Sequence, residues 1–415
     1  MPNILARLGP GLMLAAVGVG VSHLVFSTQA GANYGLSLLW FIVAVTLIKY
    51  PAFRFAVDYA NATGESLVTA YGEISKLALV WLMAGFIVDT FIATSAVSMV
   101  TAGLFISIFD VPFSAPQVAI AITLVSALIL MNGQYAKAER IVKVLVVVFS
   151  ILTLVALFFS LPLLGSNDRA VFADLDLTSD LPLLIFVIAI AGWMPMPTNG
   201  AILFSSWVSE KRKISGEKFK DEDALRDFKL GYFLCLFLAI CFVVLGAAVL
   251  FQTGRTIPLK AADFAAELFS VFTETIGDWS YPIIASAGLA VMWSTQIALM
   301  DVMPRLTDRL SGLMMGRPKD SPDRYKLFSA IQVLGIIIIL LFFVESNSFI
   351  GFIFFATSVG LIAAPTIGYY NYLAITSDKI PAKYRPKTSM VIWNWACIFI
   401  MAVFAIGFVY TRIVM

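Results

Sequence analysis

The sequence has little charge and few of the side chains that catalysis and metal binding usually need. Only 13% of its 415 residues are charged, 60% are hydrophobic, and His23 is the single histidine. Soluble domains carry about 25% charged residues, so this composition excludes a soluble globular protein. Cys235, Cys241 and Cys397 lie inside apolar runs without metal-binding spacing, which predicts buried free thiols. We therefore predict an all-α integral membrane protein with several membrane-spanning helices.

Motifs of membrane-embedded enzymes are also missing. The sequence has no HExxH, no GxSxG and no carboxylate cluster, so it offers neither a metal triad nor a nucleophile–base pair. Acidic residues are interleaved with the basic ones in 217–227, which is typical of a solvated loop and not of a nucleic-acid-binding patch. We expect no enzymatic activity, no cofactor and no nucleic-acid partner.

Apolar runs long enough to cross about 30 Å of hydrocarbon recur along the chain. Basic residues concentrate in alternate connections, with seven Lys and Arg in 209–229 and six in 305–326 but none in 110–116. Because positively charged loops stay in the cytoplasm, this pattern predicts a cytoplasmic N-terminus and an extracytoplasmic C-terminus in the plasma membrane. The eleven predicted spans lie at 11–31, 37–57, 78–108, 117–132, 141–164, 182–207, 229–251, 281–303, 327–344, 348–376 and 389–412.

Two of these spans contain residues that interrupt a helix. Gly18–His23 in span 1 is rich in glycine, which costs about 1 kcal/mol against alanine in a helix. Gly192–Asn199 in span 6 holds Pro195 and Pro197, each of which costs about 3 kcal/mol in an intact helix. A close-packed glycine-rich helix and a proline-kinked structural helix are the alternatives. Paired broken helices favour a carrier over a channel, which needs a ring of filter groups.

Breaks five spans apart predict an inverted five-plus-five repeat. The whole chain, 1–415, would then be a single transmembrane transporter domain. Its parts would be repeat one at about 9–164, repeat two at about 181–377 and an additional helix 11 at about 389–412.

Four short motifs are similar to those of one family, and the similarity covers nearly all of the chain. GPG at Gly9–Gly11 matches it, and AGANYGLSLLW at Ala30–Trp40 resembles its AGSxxGYxLLW. Thr63-Gly64 follows span 2 where the family has TG, and the analogue of its span-6 MPHN is Met196–Asn199 or the preceding Met194-Pro195. The sequence thus resembles the Nramp family of proton-coupled divalent metal transporters, within the amino-acid/polyamine/organocation superfamily. The resemblance implies a LeuT-like fold with substrate held between broken spans 1 and 6.

The chain departs from this family where the family binds metal. The span-1 DPGN motif falls on Gly20–His23, so its aspartate corresponds to Gly20 and its asparagine to His23. The histidine of the span-6 motif corresponds to Thr198, and the two span-3 acids correspond to Ser95 and Ser98. The resemblance therefore implies a secondary-active transporter that moves a metal cation through an altered site. A carrier of a small organic solute, such as an amine or amino acid, is the alternative.

The residues expected to bind substrate lie at or beside the two breaks. His23 with the sulfur of Met194 or Met196 would suit a soft metal ion, whereas a neutral imidazole would hydrogen-bond an organic solute. Which methionine faces the site stays open at this point. The expected substrate-binding residues are Gly20, Ser22, His23, Ala191, Met194, Met196, Thr198 and Asn199.

Polar residues elsewhere in the spans are expected to form a coupling pathway. Lys49 in span 2 and Asp89 in span 3 lie at comparable depth, and an unpaired charge there costs about 2.5–3.5 kcal/mol. An ion pair between them, structural or part of a cation path, would avoid that cost. The expected partners are the lipid bilayer and a small-molecule or ion substrate. The expected pathway residues are Asp89, Lys49, Ser95, Ser98, Thr295, Gln296 and Asn371.

Overall fold

The structure, a computed structural model, is helical throughout most of the residues that it describes. Seven helices of this part of the chain are long and apolar enough to cross a membrane, by length and composition. Shorter apolar helices accompany them, among them Ala115–Met131 and Leu181–Trp193. The described residues are 9–131, 135–166, 170–177, 179–216, 219–255, 257–258, 260–316, 321–342 and 349–414.

The α-helices are numbered here in chain order. The first half of the chain contains α1 (Pro10–Gly18), α2 (Thr28–Tyr34), α3 (Leu39–Thr63), α4 (Leu67–Ile74), α5 (Lys76–Val88), α6 (Thr94–Phe109), α7 (Ala115–Met131) and α8 (Tyr135–Ser160). The second half contains α9 (Leu181–Trp193), α10 (Gly200–Ser215), α11 (Asp221–Leu245), α12 (Ala261–Ile276), α13 (Tyr281–Met314), α14 (Pro322–Phe342), α15 (Phe349–Thr376) and α16 (Thr388–Val414). Segments of π-helix occur at Ser22–Ser27 before α2, at Asp89–Ala93 between α5 and α6, and at Gly246–Phe251 after α11.

Most predicted spans coincide with helices, although several boundaries differ. The third span is bent into α5, the π-helical segment Asp89–Ala93 and α6. The eighth extends to Met314, well beyond the predicted end at residue 303. The predicted boundary between 327–344 and 348–376 falls at 343–348, outside the described residues.

Helices α4 and α12 were not predicted, because α4 has only 8 residues and α12 carries acidic residues that interrupt its apolar sequence. The sequence of α12 is amphipathic: Phe264, Leu268 and Phe272 recur every four residues on one face, and all three are buried. Its N-terminal end is close to α6, since a Cβ added at Gly103 would lie 2.5 Å from the carbonyl oxygen of Ala261. The connection before α13 is therefore a packed helix and not an open loop.

The two helical parts of the first span contact α11 backbone to backbone. A Cβ added at Gly11 would lie 2.0 Å from the carbonyl oxygen of Asp227, and one at Gly31 would lie 2.1 Å from that of Val243. Only glycine permits helices to approach this closely. The Asp227 carboxylate also accepts the backbone N–H of Gly11 at 2.7 Å, at the helix end where negative charge is favourable. Both α1 and α2 are thus fixed to the same helix.

Candidate functional site

The first span is interrupted as predicted, but over a shorter stretch than Gly18–His23. Helix α1 ends at Gly18, and the chain becomes helical again at Val21, so only Val19 and Gly20 are non-helical. His23 lies within the π-helical segment Ser22–Ser27 and not in unwound chain. The π-helical segment follows the break closely, and its wider turns accommodate an extra residue while the backbone hydrogen bonds are kept.

The sixth span is interrupted over most of the predicted stretch Gly192–Asn199. Helix α9 ends at Trp193 and α10 begins at Gly200, which leaves 194–199 non-helical. Pro195 and Pro197 explain this break, because neither can donate the backbone hydrogen bond that a continuous helix needs. The prediction for span 6 is confirmed.

The two interruptions face each other. Ser22 Oγ lies 3.1 Å from the carbonyl oxygen of Pro195 and 2.9 Å from that of Gly18, so a hydroxyl of one break reaches the backbone of the other. A cavity of about 50 Å³ lies between them and also reaches the third and eighth spans. It is lined by Val17, Gly18, Val21, Ser22, Asp89, Ala93, Val97, Trp193, Met196, Pro197, Asn199, Gly200, Leu203, Thr295, Leu299 and Met303.

Asp89 is the one carboxylate among the described residues that line this cavity. It begins the π-helical segment Asp89–Ala93, is 8% exposed, and accepts a hydrogen bond from the side-chain amide of Asn199. Asn199 immediately precedes α10, so the carboxylate lies near the N-terminal end of that helix, where its charge is favourable. Sequence analysis placed Asp89 on a pathway, and the structure places it at the cavity itself.

The predicted ion pair between Lys49 and Asp89 is wrong. Lys49 is fully buried, and its Nζ donates to the carbonyl oxygen of Gly192 at 2.8 Å and lies 3.4 Å from that of Met196. The Gly192 carbonyl belongs to the last turn of α9, whose carbonyls lack helical partners and carry partial negative charge. Lys49 therefore binds one end of the 194–199 break, while Asp89 binds the other.

His23 is absent from the lining of the cavity and is held on both sides of its ring. Nε2 lies 2.8 Å from the carbonyl oxygen of Cys235 and Nδ1 lies 2.8 Å from Ser22 Oγ. A carbonyl only accepts, so Nε2 carries a proton, and in the neutral ring Nδ1 accepts from Ser22. The imidazole thus links the π-helical segment Ser22–Ser27 to α11, and a role as metal ligand would require breaking one of these bonds.

The other residues expected to bind substrate divide into two groups. Ser22, Met196 and Asn199 line the cavity with Asp89. Met194 is fully buried outside the lining, which leaves Met196 as the methionine of this break that faces the cavity. Outside the lining are also Gly20, whose added Cβ would lie 3.6 Å from Thr295, and the buried Ala191 and Thr198.

The expected pathway residues do not all converge on the site. Thr295 lines the cavity. Ser98 Oγ lies 3.4 Å from Thr123 Oγ1, to which Gln296 Nε2 donates at 3.0 Å, so these three form a neutral polar chain beside the cavity. Ser95 donates to the backbone of its own helix. Asn371 lies elsewhere, accepting from the Tyr71 hydroxyl and donating to the carbonyl of Ala52.

Sequence analysis missed several residues of the site. Met303 could have been found, because it follows Thr295 by two turns of α13 and shares its face. Trp193 lies two residues before the first proline of the break. Thr123 had no distinguishing signal, since it lies in the middle of an apolar run. No group of three or more His, Cys, Asp or Glu side chains able to hold a metal occurs among the described residues.

A larger cavity of about 750 Å³ lies between α1, α10, α13 and α14. Its walls include an i, i+4 ion pair between Asp301 and Arg305, at 2.8 Å. Met13 lines the larger cavity and Val17, one turn later in α1, lines the smaller one. The two cavities therefore lie along one route beside the first span.

Two interrupted helices that face one buried cavity in a bundle of apolar helices are typical of transporters with a LeuT-like fold. The family model described as natural resistance-associated macrophage protein-like, Nramp, matches residues 11–411. The chain belongs to the Nramp family.

Individual relatives agree with this assignment. An uncharacterized protein of Pasteurella multocida is 31% identical over 374 residues, covering 88% of this chain and 84% of its own. The divalent metal cation transporter MntH of Staphylococcus aureus (strain JH9) is 22% identical, covering 97% of this chain and 90% of its own. A mutant of the manganese transporter of Eremococcus coleocola has a similar fold, with a TM-score of 0.66 at 16% identity over 97% of this chain and 85% of its own.

Proposed function

We propose that this protein is a secondary-active transporter that moves a metal cation across the plasma membrane. The bound cation would lie in the small cavity, in contact with Asp89. This site would be altered, because it lacks the usual span-1 aspartate. The names of two relatives, a divalent metal cation transporter and a manganese transporter, support metal as the class of substrate. The observation that carries the proposal is the buried carboxylate of Asp89, the one carboxylate among the described residues that line the cavity where the two interrupted helices meet.

The composition of the cavity supports a cation. The Asp89 carboxylate supplies negative charge, Asn199 supplies an amide oxygen and Met196 a thioether sulfur, which together suit an ion of intermediate softness. Gly20 and His23 correspond to the aspartate and asparagine of the family motif, so Asp89 is proposed to supply the charge that Gly20 cannot.

The volume of the cavity favours an ion over an organic solute. Pockets for small organic ligands measure about 300–1,000 Å³, whereas one water needs about 10–15 Å³ of such space. The cavity of about 50 Å³ has room for a cation with a water or two. An amine or amino acid would not fit without a large rearrangement.

The proposed architecture completes the assignment. Eleven spans in an inverted five-plus-five repeat, at about 9–164 and 181–377 with an additional helix at 389–412, would form one transporter domain. The N-terminus would be cytoplasmic and the C-terminus extracytoplasmic. The interruptions in spans 1 and 6, five spans apart, support this arrangement.

Uptake by proteoliposomes tests the function. Vesicles containing the parent protein are expected to accumulate Mn²⁺ or a monovalent metal ion with saturable kinetics, and Asp89→Asn is expected to reduce uptake at least about tenfold. Asp110→Asn is the matched control, because this carboxylate is exposed at the end of α6 and far from the lining. Equal uptake by Asp89→Asn and the control would reject the proposed site.

The same vesicles report on proton coupling. Ser95 and Ser98 are neutral where the family has acids, so we expect luminal pH to stay constant during uptake. Acidification that follows uptake and disappears in Asp89→Asn would instead assign proton transfer to Asp89.

A further inference from the structure

One buried cation and one buried anion flank the same non-helical segment. Lys49 Nζ donates to Gly192 O at 2.8 Å and lies 3.4 Å from Met196 O, and its side chain is fully buried. Asp89 accepts from Asn199 at the other end of segment 194–199. Each charge complements the helix end beside it, since the last carbonyls of α9 attract a cation and the first amides of α10 attract an anion.

This arrangement holds the ammonium near the cavity while preventing it from neutralising the carboxylate directly. Met196 and Asn199 are three positions apart, and the carbonyl of Pro197 accepts from Gly200 at 2.9 Å, so this stretch is folded into a turn. Three Cα steps span at most about 11 Å, and we take the distance between the two charges to be on the order of 10 Å. Met196 also lines the cavity, so a cation bound at Asp89 would face a fixed positive charge across its own binding segment.

We propose that Lys49 is a specificity-determining residue that makes the site favour monovalent over divalent cations by electrostatic repulsion. The inference rests on the proposed function, because it assumes a cation bound at Asp89. Repulsion grows in proportion to the charge of the bound ion. At about 10 Å and an effective dielectric constant of about 20, one ammonium weakens monovalent binding about tenfold and divalent binding about a hundredfold.

The charge balance explains why this residue would set specificity. The carboxylate and the ammonium together leave the empty site neutral, so a monovalent ion adds one net charge and a divalent ion adds two. Uncompensated charge is costly in a membrane interior, and the cost rises steeply with its magnitude. The sequence places no acid at Gly20, Ser95 or Ser98 to offset the second charge.

Lys49→Gln tests the proposal, because glutamine removes the charge but keeps an N–H donor for the Gly192 carbonyl. Lys49→Arg keeps the charge and is the matched control. The probes are Li⁺ and Mg²⁺, which have nearly the same ionic radius but differ in charge, and binding is measured by titration calorimetry on purified protein. Thermal melting of each variant verifies that it is folded.

In Lys49→Gln we expect Mg²⁺ affinity to rise about a hundredfold and Li⁺ affinity about tenfold, and in Lys49→Arg neither to rise. The logarithm of the Mg²⁺ change should be twice that of the Li⁺ change, a ratio that a purely structural role would not produce. Equal changes for the two ions, weaker binding in folded Lys49→Gln, or an equal rise in Lys49→Arg would each overturn the proposal.

Asp89→Asn separates this proposal from the proposed function. If Asp89→Asn abolishes binding of both ions while Lys49→Gln leaves their ratio unchanged, only the role of Lys49 fails. If Asp89→Asn leaves binding intact, or if neither ion binds any variant, the cation site at Asp89 fails and the role of Lys49 fails with it.

Discussion

The polar groups around His23 offer more hydrogen-bond acceptors than donors. The Cys235 carbonyl takes the proton of Nε2, so the single Ser22 hydroxyl proton must serve Nδ1 or the carbonyls of Gly18 and Pro195. Two donors, the N–H of His23 Nε2 and the hydroxyl of Ser22, therefore link α1, the π-helical segment Ser22–Ser27 and α11. Such a cluster fixes side-chain orientation, because a change at one member leaves another buried polar group without a partner.

Replacing His23 by alanine is expected to lower stability more than it changes substrate affinity. The variant would remove the hydrogen bond from Nε2 to the Cys235 carbonyl, at a cost of about 0.5–1.5 kcal/mol, and would leave a cavity in the core that adds to it. The measurements are thermal melting in detergent and Mn²⁺ binding by titration. A normal melting temperature with lost binding would instead make His23 a ligand, as the sequence alone led us to expect.

The sequence singles out His23 and Asp89 but does not reveal which of them faces the substrate cavity. Both lie in π-helical segments, where the number of residues per turn differs from 3.6. The direction of a side chain therefore cannot be counted from the ordinary helical period. Because histidine is rare in this sequence, His23 was the expected substrate-binding residue. In the structure His23 is directed towards α11, and Asp89 lies at the cavity.

Among the helices, the contact between α9 and α15 is the closest one beside the second break. A Cβ added at Gly192 would lie 2.2 Å from the carbonyl oxygen of Thr357, a distance that real side chains do not show. The Gly192 carbonyl is also the acceptor for Lys49. The end of α9 is thus held by a neighbouring backbone on one side and an ammonium on the other.

Gly192→Ala is expected to destabilise the protein by at least about 1–3 kcal/mol, because two backbones would have to separate. Gly407→Ala is the matched control, since a Cβ there meets nothing within 4 Å and alanine favours a helix by up to about 1 kcal/mol. Thermal melting of both variants checks this. Similar melting temperatures for the two would mean that α15 shifts to admit the methyl group.

Both interruptions could be predicted because proline and glycine act locally. Pro195 and Pro197 prevent a helix whatever surrounds them, so the predicted and observed breaks of span 6 agree to within two residues. Glycine only permits a break, and Ser22 and His23 remain helical although they adjoin the glycines of span 1. The partner of Lys49 could not be predicted either, because a carbonyl freed by a helix end leaves no mark in the sequence.

Over the whole molecule, the distribution of basic loops predicts which side of the membrane each connection occupies. Asp278 follows α12 in a connection expected outside, and Asp378 follows α15 in one expected inside; both are exposed. The three native cysteines are buried, so they give little background with a water-soluble thiol reagent.

We expect Asp278→Cys to react with a membrane-impermeant maleimide in intact cells, and Asp378→Cys to react only after permeabilisation. Positively charged loops resist translocation, which is the reason for this orientation. Labelling in the opposite order would invert the proposed topology without changing the fold. Labelling of both cysteines in intact cells would place both positions outside, which would contradict the three spans predicted between them.

The two interruptions differ in how the helices beside them are held. Helices α1 and α2 are both in backbone contact with α11, at Gly11 and Gly31, so the angle between them is fixed although the chain is broken at Val19 and Gly20. The helices beside the second break have separate anchors: α9 lies against α15, and Ser209 of α10 donates to Gly64 at the end of α3. The first break therefore lies between two helices fixed to one neighbour, whereas segment 194–199 connects two helices that are held by different neighbours.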